Sequence, residues 1–144
     1  MAGRLMLVFA LTGALAFATG AVAAKPLTVS QFRTQANATC TSAYKQIAGL
    51  SGSDLAVYLG DVLPLIRNFE ASIARLSPPA TFAVPFGKLI TTLTAERAYL
   101  QKLYTRAKTG HLTVSQFQND TTMASLSHTE DSLWSQMGVT VCAS

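Results

Sequence analysis

Residues 55–76 read LAVYLGDVLPLIRNFEASIARL, and their apolar positions decide the fold. Leu55, Tyr58, Leu59, Val62, Leu65, Ile66, Phe69, Ile73 and Leu76 recur at intervals close to the helical period of about 3.6 residues, not the period of about two that marks a strand. The stripe runs through Pro64, whose ring crowds the carbonyl of residue 60 and which has no amide to bond it. Residue 60 is glycine and can yield. The spacing predicts one helix over residues 53–76, capped by Ser53, with Asp54 at its positive end and a bend between Gly60 and Pro64. Two shorter helices would carry the same period.

Working towards the N-terminus, residues 27–32 read LTVSQF. Thr28 and Gln31 have the spacing of a capping box, and Leu27 with Phe32 that of a hydrophobic staple. A first helix over residues 28–48 follows, with Val29, Phe32, Ala36, Cys40, Ala43 and Ile47 on its apolar face and Gly49 as its stop. Towards the C-terminus, Ser77, Pro78 and Pro79 end the second helix. The third starts between Pro79 and Thr81. Its core face is Phe82, Phe86, Leu89, Leu93, Leu100, Leu103, Tyr104 and Ala107, and Gly110 ends it. Residues 112–117 then repeat LTVSQF letter for letter and open a fourth helix over residues 113–137. Its stripe is Phe117, Met123, Ala124, Leu126, Leu133, Trp134 and Met137, with Glu130 on the side of Leu126 and Leu133. The repeat does not extend past the cap, since the same offset pairs Cys40 with Ser125 and Ile47 with Ser132. Repeated use of one good start signal explains this better than a helix-hairpin duplication, which is the alternative. Four helices joined by short loops predict an all-α, up-down-up-down four-helix bundle.

The N-terminal stretch has a different character. Arg4 precedes an uncharged run from Leu5 to Ala18, and small residues follow to Ala24. This is the layout of a secretory signal cleaved after Ala23 or Ala24, leaving residues 25–144 as the domain. The apolar run is shorter than the ~20 residues that span a bilayer, so no transmembrane segment is expected after processing. The product is expected to be secreted or periplasmic. There an even cysteine count reads as a disulfide, Cys40 to Cys142, tying the first helix to the C-terminal tail. A loop of about 100 residues closed in this way is worth up to ~4.7 kcal/mol. Two free thiols or an interchain link are the alternatives. Residues 139–142 are β-branched and read as an extended segment that delivers Cys142 to Cys40.

No pattern for catalysis, metal or cofactor emerges. His111 and His128 are too far apart in sequence to share a helix face as metal ligands. The Cys-x-x-Cys-His haem signature, the Gly-x-Ser-x-Gly elbow and the phosphate-binding glycine loop are missing. The domain has no methionine before Met123 to serve as an early haem ligand. The net charge is +4, of which Arg4 leaves with the signal. The pI near 9.3 suits an anionic surface such as lipid headgroups or acidic cell-wall polymer, and a protein partner is the other expectation. Lys88, Lys102 and Arg106 share one side of the third helix and are the candidate binding residues. No block of like charges suggests nucleic acid. Asn37 and Asn119 head glycosylation sequons.

Cys40 with Tyr44 and Ile47, the Leu76-Ser77-Pro78-Pro79 break, Ala107 before Gly110, and Trp134, Met137 and Gly138 leading to Cys142 form a layout. It resembles that of uncharacterised small secreted helical proteins of actinobacteria. The resemblance implies an exported helical protein and transfers no activity. The expected function is that of an exported, non-catalytic binding or structural module of the cell envelope or extracellular space. The alternative is a carrier with an apolar ligand inside the bundle near Tyr58, Val62 and Phe86. A cavity beside Gly60 and Pro64 would favour the carrier, and acids converging with His128 in a cleft would favour an enzyme.

Overall fold

The computed structural model describes residues 25–51 and 54–143. The expected signal segment, residues 1–24, lies outside them. The described part is all-helical. The helices are α1 (Val29–Ala48), α2 (Leu55–Ala74), α3 (Ala83–Lys108), the short α4 (Val114–Gln118) and α5 (Thr121–Met137), with one 3-10 turn, Ala80–Phe82, ahead of α3. The four long helices pack in chain order: α1 on α2, α2 on α3 and α3 on α5.

The caps explain where the helices begin and end. Both LTVSQF segments form complete capping boxes. The Gln31 amide donates to Thr28 Oγ1 at 3.2 Å and the Thr28 amide to Gln31 Oε1 at 3.0 Å, and Gln116 and Thr113 repeat the exchange. The second helix starts one residue later than expected. Asp54 caps α2 by accepting from the Val57 amide at 3.0 Å, and Ser53, the expected cap, lies outside the described residues. The predicted fourth helix is divided. Asn119 ends α4, and Asp120 caps α5 by accepting from the Met123 amide at 2.9 Å. Gly110 and Gly138 sit in the left-handed region at φ 72° and 69°. Each closes a Schellman motif, through His111 to Arg106 and Val139 to Trp134. Gly49 caps α1 at φ −78°, so glycine's conformational freedom is not what that position uses.

The core divides into two apolar clusters. One gathers Phe32, Ala36 and Cys40 of α1, Ile73 of α2, Phe86, Leu89 and Leu93 of α3, and Leu133, Trp134 and Met137 of α5. The other joins Leu59 and Leu63 of α2 to Leu100 and Leu103 of α3, with Leu112 beneath. Tyr58 packs on the second cluster and Phe86 belongs to the first, so the two do not flank a common ligand space. Pro64 is exposed, and α2 is assigned as one helix through it. Beside Gly60 lies the Tyr104 ring, 3.3 Å from where a β-carbon would stand.

The tail is turned, not extended. Arg33 Nε donates to the Met137 carbonyl at 2.8 Å, and the Val141 amide donates to Asn37 Oδ1 at 3.0 Å. The Cys40–Cys142 disulfide follows, with Cα atoms 5.5 Å apart. The tail thus follows α1 from Arg33 to Cys40, about 10 Å at 1.5 Å per residue. A compact turn over residues 140–142 covers that span, which is why an extended strand is not needed.

Candidate functional site

The core face of α3 is Phe86, Leu89, Leu93, Glu96, Leu100 and Leu103, an alternation of three- and four-residue steps. One of those core positions is held by a carboxylate. Glu96 is 9% exposed and is the buried charged residue among the described residues. On α5 a half-buried acid, Glu130, holds the corresponding place between Leu126 and Leu133. The two helices pack together, and the two carboxyl groups line one cavity, near enough for the charge of Glu96 to act on Glu130. Glu96 lies in sequence between Leu93 of one cluster and Leu100 of the other, so the polar layer falls where the two clusters part.

Around this pair is a cavity of about 240 Å³ to which each of the four long helices contributes. Ala43, Tyr44 and Ile47 come from α1, Ile66 and Phe69 from α2, Leu93 and Glu96 from α3, and Ser127, Glu130 and Asp131 from α5. Cys142 of the tail completes the wall, so the disulfide forms one edge of it. Tyr44 is 42% exposed and stands at the mouth, where its hydroxyl donates to the Cys142 carbonyl at 3.3 Å. The walls are apolar except for the three acids, Ser127 and the tyrosine hydroxyl. No lysine, arginine or histidine lines them.

The hydrogen bonds fix the acids in place. Ser127 Oγ donates to Glu96 Oε1 at 3.0 Å, and Trp134 Nε1 donates to Glu130 Oε1 at 2.8 Å. Burial, then the hydrogen bond and charge of Glu96, push the Glu130 carboxyl up to about 8. Trp134 opposes the shift and the charge of Asp131 adds to it. The cause is elementary: ionising Glu130 in a poorly solvated site beside the Glu96 charge is costly, so Glu130 keeps its proton. Arg97, the next residue on α3 after Glu96, does not relieve the pair. It is paired with Glu70 of α2, which also accepts from Thr94.

The residues singled out in the sequence fall elsewhere. Lys88 edges a broad surface groove of about 660 Å³ between α3 and α5, with Thr91, Thr92, His128, Thr129 and Gln136. His128 is exposed on that groove and does not line the acidic cavity. Lys102 is exposed. Arg106 donates to the His111 carbonyl at 3.4 Å and sits near Asp120. By helical rise Lys88 is ~21 Å from Lys102 along the axis, so the three cations do not converge on one point. Beside Gly60 lies an open surface hollow with Ala56, Val57, Asp61, Tyr104 and Lys108.

The fold and site together define a disulfide-closed, all-helical protein with an acidic cavity among its four long helices. Compared with protein families, curated proteins and solved structures, the chain matches none.

Proposed function

We propose that the protein is an exported, non-catalytic binding module that carries a small molecule in the cavity among its four long helices. The observation that carries this reading is the placement of two glutamates, Glu96 at a core position of α3 and the half-buried Glu130 of α5, on one cavity whose walls are mostly apolar. Stability alone favours apolar residues there, because exchanging a buried ionisable group for a well-packed apolar one is often neutral or stabilising. An apolar cavity with a few convergent polar groups is the usual form of a small-molecule site. The volume lies below the ~300–1,000 Å³ of drug-sized pockets, which points to a small ligand or to the head of a longer one.

Export is supported by the charged, apolar and small-residue segments that end at Ala24, and by a cysteine pair suited to an oxidising compartment. No helix among the described residues is long and apolar enough to cross a membrane. The resemblance to small secreted helical proteins agrees. The reading takes the four long helices as an up-down-up-down bundle with α2 bent near Pro64, a topology in which one face of each meets the cavity.

Native mass spectrometry of the protein recovered from outside its producing cells tests this. The expected species is a disulfide-bonded chain starting at Ala24 or Lys25 with one small molecule bound. Ala43→Phe, which fills the cavity, is expected to lose that adduct. A wild-type chain recovered without any adduct, or with residues 1–24 still attached, overturns the reading.

A further inference from the structure

Resting on the cavity reading, we propose that the ligand is an organic cation with a short apolar body, an alkylammonium or amidinium, whose positive charge sits between the Glu96 and Glu130 carboxyl groups. Three observations converge. The walls are apolar, from Ala43 and Ile47 on one side to Phe69 and Leu93 on the other, and accept a hydrocarbon body. The charged and titratable groups facing the pair can be named helix by helix. Tyr44 comes from α1, none from the α2 wall of Ile66 and Phe69, Glu96 itself from α3, Asp131 from α5, and Cys142 of the tail is held in the disulfide. Every ionised group among them is therefore negative, and an anionic ligand would meet only repulsion. Finally, the pair lacks a cation of its own, since Arg97 is engaged by Glu70.

The exchange balances simply. In the free protein Glu130 carries a proton. The entering ammonium donates N–H bonds to both carboxyl groups, Glu130 becomes a carboxylate, and its proton passes to solvent. Because Glu130 holds its proton up to about 8, each ligand bound below that pH releases up to one proton. Affinity for the cation then rises up to tenfold per pH unit towards about 8 and levels off above it. The ligand itself does not titrate in this range, since an alkylammonium, like a lysine side chain, stays charged to about pH 10.

Three probes with one hydrocarbon chain and different heads make the test: hexylammonium, hexanol and hexanoate, added to the intact disulfide-bonded protein. Trp134 is the chain's one tryptophan and bonds Glu130, so its fluorescence reports occupancy. Calorimetry in two buffers of different ionisation enthalpy counts the released proton. The expected result is hexylammonium binding at least tenfold tighter than either other probe at pH 8, with proton release at pH 6. In Glu130→Gln that preference falls at least tenfold and the pH dependence disappears. Hexanol or hexanoate binding as tightly as hexylammonium, or cation binding without proton release at pH 6, overturns the cation proposal and leaves the cavity reading standing. If none of the three probes binds, both fall. The pH and buffer measurements use the unaltered protein, so they decide the matter even if the variant folds poorly.

Discussion

At the scale of single residues, Glu130 couples the cavity to the stability of the fold. In the unfolded chain its carboxyl ionises at an ordinary 4.5, whereas in the folded protein it keeps its proton to about 8. Between those values the folded state binds up to one proton more than the unfolded state. The contribution of Glu130 to stability therefore falls as pH rises through the window, by at most about 1.4 kcal/mol per pH unit, and is level outside it. Glu130→Gln keeps the shape and a hydrogen-bonding head while removing the titration. The expected outcome is near-equal urea stability of the two proteins at pH 5. At pH 8 the variant is expected to be more stable by about 2 kcal/mol, short of the full linkage value because water reaching an ionised pair relieves part of the repulsion. Parallel stability profiles for the two proteins from pH 5 to 8 would contradict the raised titration of Glu130. Part of this site was legible in the sequence. Glu130 stands on the apolar side of its helix, and Glu96 fills the gap that the predicted stripe leaves between Leu93 and Leu100. A charge at a core period is the signal, but one helix cannot reveal it as a site. Glu96 and Glu130 acquire meaning only when α3 and α5 pack against each other.

At the scale of elements, the two LTVSQF segments separate what starts a helix from what sustains it. Identical capping boxes open α1, of 20 residues, and α4, of 5. A cap satisfies the first amides and has no hold on the chain a few turns later. After Phe32 the chain continues with residues that keep a buried face through Ala36 and Cys40. After Phe117 it meets Asn119 and Asp120, residues whose side chains compete for backbone amides and favour caps over helix interiors. The start signals were legible because they are local. The break at Asp120 was not, because the apolar period resumes beyond it and the pull comes partly from another helix. The Tyr99 hydroxyl of α3 donates to Asp120 Oδ2 at 2.9 Å while the Met123 amide donates to Oδ1. The Met123 amide bond, the Tyr99 hydroxyl bond and the charge of Arg106 outweigh burial and hold this carboxyl below its ordinary value. Asp120→Ala removes both bonds and is expected to lower stability by about 1–2 kcal/mol at pH 7, with faster amide exchange in the first turn of α5. Asp120→Asn retains a competent cap and is expected to lose less than half as much. Equal losses in the two variants would place the effect in the carboxylate's charge and not in the cap.

At the scale of the whole molecule, the disulfide joins residues 102 apart in sequence and sets one edge of the cavity. The pairing was legible because the chain contains only two cysteines. The path of the tail was not, because it depends on where α5 ends beside α1. The Arg33 guanidinium holds the Met137 carbonyl, packs over the Phe82 ring and lies against Gly138, so a β-carbon at Gly138 would meet it at 2.6 Å. These contacts and the Asn37–Val141 hydrogen bond hold the tail independently of the sulfur bond. Removing the disulfide in the Cys40→Ala, Cys142→Ala double variant is therefore expected to separate two effects. Global stability falls by about 2–5 kcal/mol, because the unfolded chain regains the freedom of a long loop. The helix content of the folded protein stays the same, because no helix cap uses the sulfurs and alanine at position 40 keeps the buried face of α1 apolar. The cavity responds differently from the helices: Cys142 lines it, and Tyr44 is tied to the Cys142 carbonyl. A tail that frays at its last residues loosens that wall, so hexylammonium affinity is expected to drop severalfold at a denaturant concentration where the far-ultraviolet circular dichroism signal is still native. Loss of helix and loss of binding in step would mean instead that the disulfide acts only on global stability.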